Sequence, residues 1–396
     1  MRTTSDFIFV SESVTEGHPD KLCDQISDAI VDGFLDQNPH ARVNAECAVS
    51  TGILFVAAHF TTGITTDVTE VARGVIDAIG YREEELSAAH CSILTSLSET
   101  TAPGLDVHDL ESLHDADLDT VPSRHQATVF GYACDQTPTF MPVPVTIAHD
   151  VCRTLDDVRR AGELPWLSPD NKVQVAIEFV DHRPVRIHSL ILTLSGDPKR
   201  APAARSLKGT LQEHVLDAVF ADAALRPDDQ TRLLVNPGGP LVAGGPKAHS
   251  GLTGRKTAID TYGEYARHGG AALSGKDPWR VDRLGAYAAR HAARNVVAAG
   301  LARRCEVALS YAIGRARPLS VTVETFGTGA VSDPVLAERL QQLTDFRPAA
   351  VAQRFELDAA IARGGFFRPL AVYGHFGRPA LDLPWERDDL VAALPG

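Results

Sequence analysis

The chain has 396 residues, of which 44% are hydrophobic and 22% charged, and its formal net charge is -13. That length exceeds one hydrophobic core, so two or three domains are expected. The negative balance argues against nucleic acid or an anionic membrane as the main partner. No apolar run approaches the roughly 18 residues of a membrane span, and the opening residues lack a signal-peptide pattern, so a cytoplasmic protein is expected.

Residues 7–10 are apolar, and 11–20 read as a loop leading into a helix. Leu22, Ile26, Ile30 and Phe34 recur at helical spacing until Asn38-Pro39 stops the pattern. A β-hairpin is expected next, with 42–50 and 53–61 flanking Thr51-Gly52. Glu46 then pairs with Ala57 and Asn44 with His59, so Glu46 and His59 share one face with Phe55 and Ala48. Residues 98–122, rich in Ser, Thr, Asp, Pro and Gly, read as a long loop or linker. Strand signals return at 128–132, 173–179 and 185–194, and a helix is expected near 207–221. A glycine-rich stretch covers 236–254. A long helix follows, with Asp277 as N-cap and Pro278 in its first turn, ending near Gly300. A last strand is expected at 320–325. Strands and helices alternate without a regular βα rhythm, which indicates an α+β fold with sheets covered on one face.

Three segments carry chemistry. Ser11 to Lys21 (SESVTEGHPDK) places His18 and Asp20 at a loop-to-helix junction, where free N–H groups suit phosphate. Gly244 to Thr257 (GGPKAHSGLTGRKT) combines glycines with Arg255 and Lys256 but is not a Walker A loop, because Arg255 stands where a glycine should precede the lysine. Gly269 to Pro278 adds Lys276, and Asp282 follows on the next helix. Between Lys247 and Arg294, nine Lys/Arg face four Asp/Glu. Such a basic island in an acidic protein suits a compact polyanion such as a nucleoside triphosphate. Taken singly, each loop is equally compatible with a solvated surface turn.

In order along the chain, the segments SESVTEGHPDKLCDQISDAIVD, GLTGRK, IDTYG, ARHGG, SGKDP, NVVAAGLA, CEVALSYAIG, VETFGT and YGHFGR strongly resemble the S-adenosylmethionine synthetases (methionine adenosyltransferases). The resemblance runs from about Phe7 to Arg378. It implies three structurally similar α+β domains, here 5–105, 122–241 and 242–380, and a homodimer or dimer of dimers with active sites at the subunit interface. It also implies a role in one-carbon metabolism. The implied reaction is attack of a thioether sulfur on C5′ of ATP, with release of triphosphate that is then hydrolysed to pyrophosphate and phosphate. By resemblance, His18 assists the departing triphosphate, and Lys172 and Lys276 join it as catalytic residues. Asp170, Lys172, Arg255, Lys256 and Lys276 bind ATP. Asp20 and Asp282 hold Mg²⁺, and Glu46 lies at a K⁺ site.

The departures from the family pattern concern the amino-acid pocket. His59, His125 and His249 each stand where the family has a carboxylate, and Thr100 or a neighbour stands for the glutamine of the gating loop. Leu241 replaces an aromatic residue. Imidazoles in place of carboxylates remove the attraction for an ammonium, while the triphosphate set is retained. The thioether is therefore methionine or a methionine-like analogue. The alternatives are a small anionic substrate without the α-amine and a non-catalytic or triphosphatase-only paralogue. Three imidazoles are also formally a zinc-ligand set.

Overall fold

The computed structural model describes residues 6–61, 63, 66–100 and 113–395. β1 (Phe7–Val14) runs four residues beyond the expected apolar stretch. Ser11, Glu12 and Ser13 are polar in sequence, but Ser11 to Val14 pair with Val175 to Lys172 of β6, a long-range partner that no local periodicity reveals. α1 (Pro19–Leu35) starts at the expected junction, with His18 as N-cap and Pro19 in the first turn. Its Leu22, Ile26, Ile30 and Phe34 are all buried.

The hairpin has the anticipated register. β2 (Val43–Ser50) and β3 (Ile53–Thr61) pair Glu46 with Ala57 and Asn44 with His59. α2 (Val68–Ile79) leads to β4 (Ser92–Thr100), which runs parallel to β3. β4 therefore occupies the start of the expected 98–122 loop; residues 101–112 lie outside the described residues. As an edge strand largely open to solvent, β4 carries no apolar alternation to mark it.

After the short α3 (Asp115–Leu118) come β5 (Ala127–Cys134) and α4 (Val143–Arg160). β6 (Lys172–Val180) and β7 (Arg183–Thr193) follow. α5 (Ala204–Leu211) passes through a π-helical turn into α6 (Asp217–Phe220). β8 (Arg232–Val235), β9 (Gly251–Leu252) and the single turn α7 (Thr257–Asp260) precede α8 (Val281–Ala298). β10 (Arg304–Tyr311), β11 (Ser320–Glu324) and helices α9 (Asp333–Leu343), α10 (Pro348–Arg354) and α11 (Leu357–Ile361) complete the elements that matter here.

α8 begins at Val281 rather than beside Asp277. The Asp277 carboxylate is engaged elsewhere: Oδ2 accepts from Val43 N (3.1 Å) and Oδ1 from Trp279 N (2.9 Å). It thus ties a turn to β2 instead of capping the helix.

The fold is α+β. Its sheets are ordered β1-β6-β7-β8, β11-β10-β5 and β4-β3-β2-β9. Each recruits a strand from a distant stretch of chain: β1 joins β6, β5 joins β10, and β9 joins β2. α4 and α5 cover the first sheet with one apolar cluster, and the other sheets share a second with α1 and α8. All six cysteines are buried with free thiols. No helix among the described residues is long and apolar enough to cross a membrane.

Asp28 and Arg283, both fully buried, form an ion pair between α1 and α8, and Gly275 N also donates to Asp28 (2.8 Å). Removing one partner of a buried pair leaves an uncompensated charge and costs roughly 3–5 kcal/mol. Asp28→Ala should lower the urea midpoint accordingly, with a smaller loss for Asp28→Asn. Circular dichroism during urea titration reads this, and a change in stability under about 0.5 kcal/mol would remove the pair from the structural account.

Candidate active site

The residues singled out in the sequence fall into two groups. The first surrounds the N-terminus of α1. Two loops clasp there: Thr15 N donates to Asn171 O (3.1 Å), Gly17 N to Pro169 O (2.9 Å), and Asn171 N to Thr15 Oγ1 (2.7 Å). A Cβ at Gly17 would lie 2.4 Å from Pro169 Cβ and 2.7 Å from its carbonyl, so only glycine permits this approach. The clasp brings His18 beside Asp170. His249 Nε2 lies 2.8 Å from Asp170 Oδ2, which also accepts from Gly245 N (2.8 Å). The His18 and His249 rings are 4.9 Å apart.

Asp20 is fully buried and held by three donors. Leu252 N (3.0 Å) and Arg255 Nε (3.2 Å) face Oδ1, and Lys256 Nζ (2.8 Å) faces Oδ2. The Gly251-Leu252 backbone reaches Asp20 because a Cβ at Gly251 would sit only 2.1 Å from Pro19 O. Lys172 opens β6 and is exposed at the rim.

His18 is the best-determined group here. Its Nδ1 accepts from Asp20 N (3.2 Å), while Nε2 is buried without a hydrogen-bond partner. Burial drives its pKa down to about 3; Asp170 opposes this, and Lys256, Lys172 and His249 reinforce it. The ring is therefore neutral near pH 7. With Nδ1 accepting, its proton sits on Nε2, a buried donor with no acceptor.

The second group lies near the other end of the same helix face. Gly275 N bonds Asp28, eight residues along α1 from Asp20, or about 12 Å at 1.5 Å per residue. Lys276 bridges to Asn44 of β2, and its Nζ donates to Ala272 O. Burial lowers the Lys276 pKa, and the nearby Asp282 opposes the shift. Glu46 is exposed on the open face of the hairpin, with Asn44 Nδ2 3.4 Å from its Oε1. His59, Thr100 and His125 line one recess with Arg42, Arg124 and Arg280. His125 Nδ1 lies 2.7 Å from Asp282 Oδ2, yet both atoms are buried without a well-directed hydrogen bond.

The three histidines do not share a cavity within one chain. His59 and His125 belong to the second group, and His249 is tied to Asp170 in the first, because the 244–251 loop, though it also touches the hairpin turn, turns His249 onto the 168–172 loop. A zinc site made of all three is thus not formed within one chain. The donor trio that does converge among the described residues is His18, Asp170 and His249, within 4.8 Å of one another. For Mg²⁺, a hard cation that takes oxygen ligands, Asp282 offers a buried carboxylate whose Oδ2 faces His125 Nδ1 at 2.7 Å. Asp20 presents a carboxylate already neutralised by Arg255 and Lys256, which a polyphosphate would draw away. Arg42, Arg124, Trp279 and Arg280 had no place in the sequence-based site, although two of the arginines stand within two residues of His125 or Asp282.

Family models match the chain in three consecutive blocks. The S-adenosylmethionine synthetase N-terminal domain covers residues 6–102, the central domain 120–241 and the C-terminal domain 243–387. The S-adenosylmethionine synthase of Thermosynechococcus vestitus is 47% identical over 403 residues, covering 98% of this chain and 97% of that protein. That of Gloeobacter violaceus is 48% identical over 410 residues, with 98% and 97% covered.

An ordinary histidine takes up a proton with a midpoint near 6.5. The folded His18 ring refuses it until about 3, whereas the unfolded chain accepts it below 6.5. Stability from this residue is therefore complete above pH 6.5 and declines as pH falls toward 3. In an NMR titration of the full chain, the His18 Cε1–H signal should stay flat from pH 8 to 5. A midpoint near 6.5 would refute the neutral-ring assignment.

Proposed function

The chain belongs to the S-adenosylmethionine synthetase family of transferases, and from that premise we propose that it adenosylates a small thioether at the expense of ATP. The sulfur lone pair forms a bond to C5′ as the C5′–O5′ bond breaks. The electron pair leaves on O5′ of the triphosphate, and the product is a sulfonium. The freed triphosphate is then hydrolysed to pyrophosphate and phosphate.

A neutral thioether is a modest nucleophile, so the rate depends on alignment and on stabilising the leaving charge. The observation that carries this reading is the buried, partnerless Nε2–H of His18. It donates to oxygen as negative charge develops there and needs no protonation to do so. Arg255, Lys256 and Lys172 surround the same position and take the triphosphate. Asp170 contacts the nucleoside. Lys276 approaches from the second group. Asp20 and Asp282 would hold Mg²⁺, which supplies further neutralisation of the polyphosphate, and Glu46 would hold K⁺.

Two groups about 12 Å apart along α1 make one site if two copies of the chain face each other, each supplying one group. The open face of the hairpin sheet supports this arrangement. Ile53, Phe55, Leu94 and Leu252 are exposed there, and the same face carries Glu46 and His59. An apolar sheet face of this kind favours burial against a second copy in a homodimer, or in a dimer of dimers.

Lys256→Ala and Lys276→Ala should each slow thioether-dependent phosphate release by roughly tenfold or more, since each removes a cation from the developing triphosphate charge. The two lysines lie in different groups. Co-expressed and randomly assembled, the two variants should regain roughly a quarter of wild-type activity, because half the dimers then contain one intact site of two. No recovery in the mixed preparation would mean that both lysines serve the same chain's site.

A further inference from the structure

The turn after α2 holds no residue singled out in the sequence, yet it touches all three loops of the first group. α2 stops at Gly80, whose left-handed φ of 76° turns the chain. The turn closes on itself: Glu85 N donates to Arg82 O (2.8 Å), and Arg82 N to Glu85 Oε2 (3.1 Å). Tyr81 Oη donates to Gly17 O (2.6 Å). Arg82 Nη2 donates to Ser168 Oγ (2.6 Å), and Ser168 Oγ donates to the buried Glu85 carboxylate. A Cβ at Gly245 would lie 3.2 Å from the Tyr81 ring and 3.6 Å from Glu85 Cβ, at a φ of 76°; glycine suits both the approach and the angle.

Of these contacts, the one from Tyr81 acts nearest the chemistry. A peptide unit is planar, and the Gly17–His18 unit is gripped on both edges. Tyr81 holds Gly17 O, and Thr15 O accepts from His18 N (3.1 Å). That plane sets His18 Cα, and Asp20 N then sets the ring through Nδ1 (3.2 Å). Burial, and next the charge of Asp170, raise the Tyr81 phenol pKa well above its ordinary value, so the hydroxyl stays protonated and serves as a donor. The direction of the buried His18 Nε2–H thus depends on a hydroxyl bound to the neighbouring carbonyl.

We propose that Tyr81 is a positioning residue for adenosyl transfer, holding the His18 imidazole through Gly17 at the point where the triphosphate oxygen departs. The proposal rests on the adenosyl-transfer reading and adds to it a residue outside the phosphate-binding loops. A displacement of about 1 Å at a reacting group costs up to roughly a hundredfold in rate, and a carbonyl freed of its donor permits part of that displacement. Lys172, Arg255 and Lys256 are carried on other segments and stay in place when the hydroxyl is lost. The step affected is therefore departure of the triphosphate and not its binding.

The experiment is a double-mutant cycle on the full chain. Wild type, Tyr81→Phe, His18→Asn and the double variant are compared with ATP, Mg²⁺ and K⁺. The thioethers are L-methionine and 2-hydroxy-4-(methylthio)butanoate, and the adenosylated product is followed by mass spectrometry. Phenylalanine keeps the ring against Gly245 and removes only the donor. Tyr81→Phe should lower kcat roughly tenfold, with KM for ATP changed by less than about threefold. On the His18→Asn protein the same change should cost less than about twofold. Equal losses in both backgrounds overturn the inference, since Tyr81 then acts on the fold and not on His18; an unchanged kcat in Tyr81→Phe overturns it as well. Without substrate, the His18 Cε1–H NMR signal should move in Tyr81→Phe, while those of His291 and His375, held by Asp389 and Tyr287, stay in place. An unmoved His18 signal overturns the inference even where His18→Asn has no measurable turnover. His18→Asn as fast as wild type overturns the role given to His18, and the inference with it. Absence of adenosylated product from both thioethers on the wild-type protein overturns the adenosyl-transfer reading itself.

Discussion

Four aspartates spaced four residues apart, Asp20, Asp24, Asp28 and Asp32, run along one buried face of α1. Alone they would repel one another and weaken the helix. Three loops satisfy them, the first serving both Asp20 and Asp24. Asp20 holds Leu252 N, Arg255 and Lys256. Asp24 holds Gly254 N and Lys21. Asp28 holds Gly275 N and Arg283, and Asp32 holds Phe367 N and Arg368 N. At about 6 Å per rung, the helix spaces the glycine-containing loops along its length. Those glycines therefore serve close approach to carboxylates, and the lysines beside them are presented by the same contacts.

The ladder also separates two groups of charged side chains. Near its first rung, cations gather around a neutral imidazole, an arrangement suited to a polyanion that gains charge as it leaves. Near its third rung, Lys276 is buried beside Asp282, and the recess next to it is lined with guanidinium groups. In the proposed reaction, negative charge on the triphosphate would be met by these cations, while the reacting sulfur and carbon carry little charge beforehand.

Local pattern made part of this legible. The hairpin register followed from alternation and a two-residue turn, and it placed Glu46 and His59 on one face as found. α1 and its N-cap followed from apolar spacing and His18-Pro19. What the sequence concealed depends on distant partners. β1 extends to Val14 only because β6 pairs with it, and β4 is a strand only because β3 lies alongside. α8 starts late because Asp277 is used by β2. The aspartate spacing was present in the letters, but an acidic stripe on a helix ordinarily reads as its solvated face. His249 drew notice as an imidazole in a carboxylate position, while its partner in the structure, Asp170, is 79 positions away in sequence. Orphaned polar atoms such as His18 Nε2 have no signature in sequence at all.

The interleaving of the sheets bears on how such a chain is made. β1 ends at Val14, and its partner β6 begins at Lys172. At translation speeds of roughly 5–20 residues per second, the first strand waits on the order of ten seconds on the ribosome for its neighbour. β5 waits comparably for β10, and the hairpin for β9. None of the three sheets closes from a contiguous piece of nascent chain. Unpaired strand edges are exposed throughout synthesis, so the burden of avoiding premature association falls on features such as the polar, serine-rich character of β4 rather than on early domain closure.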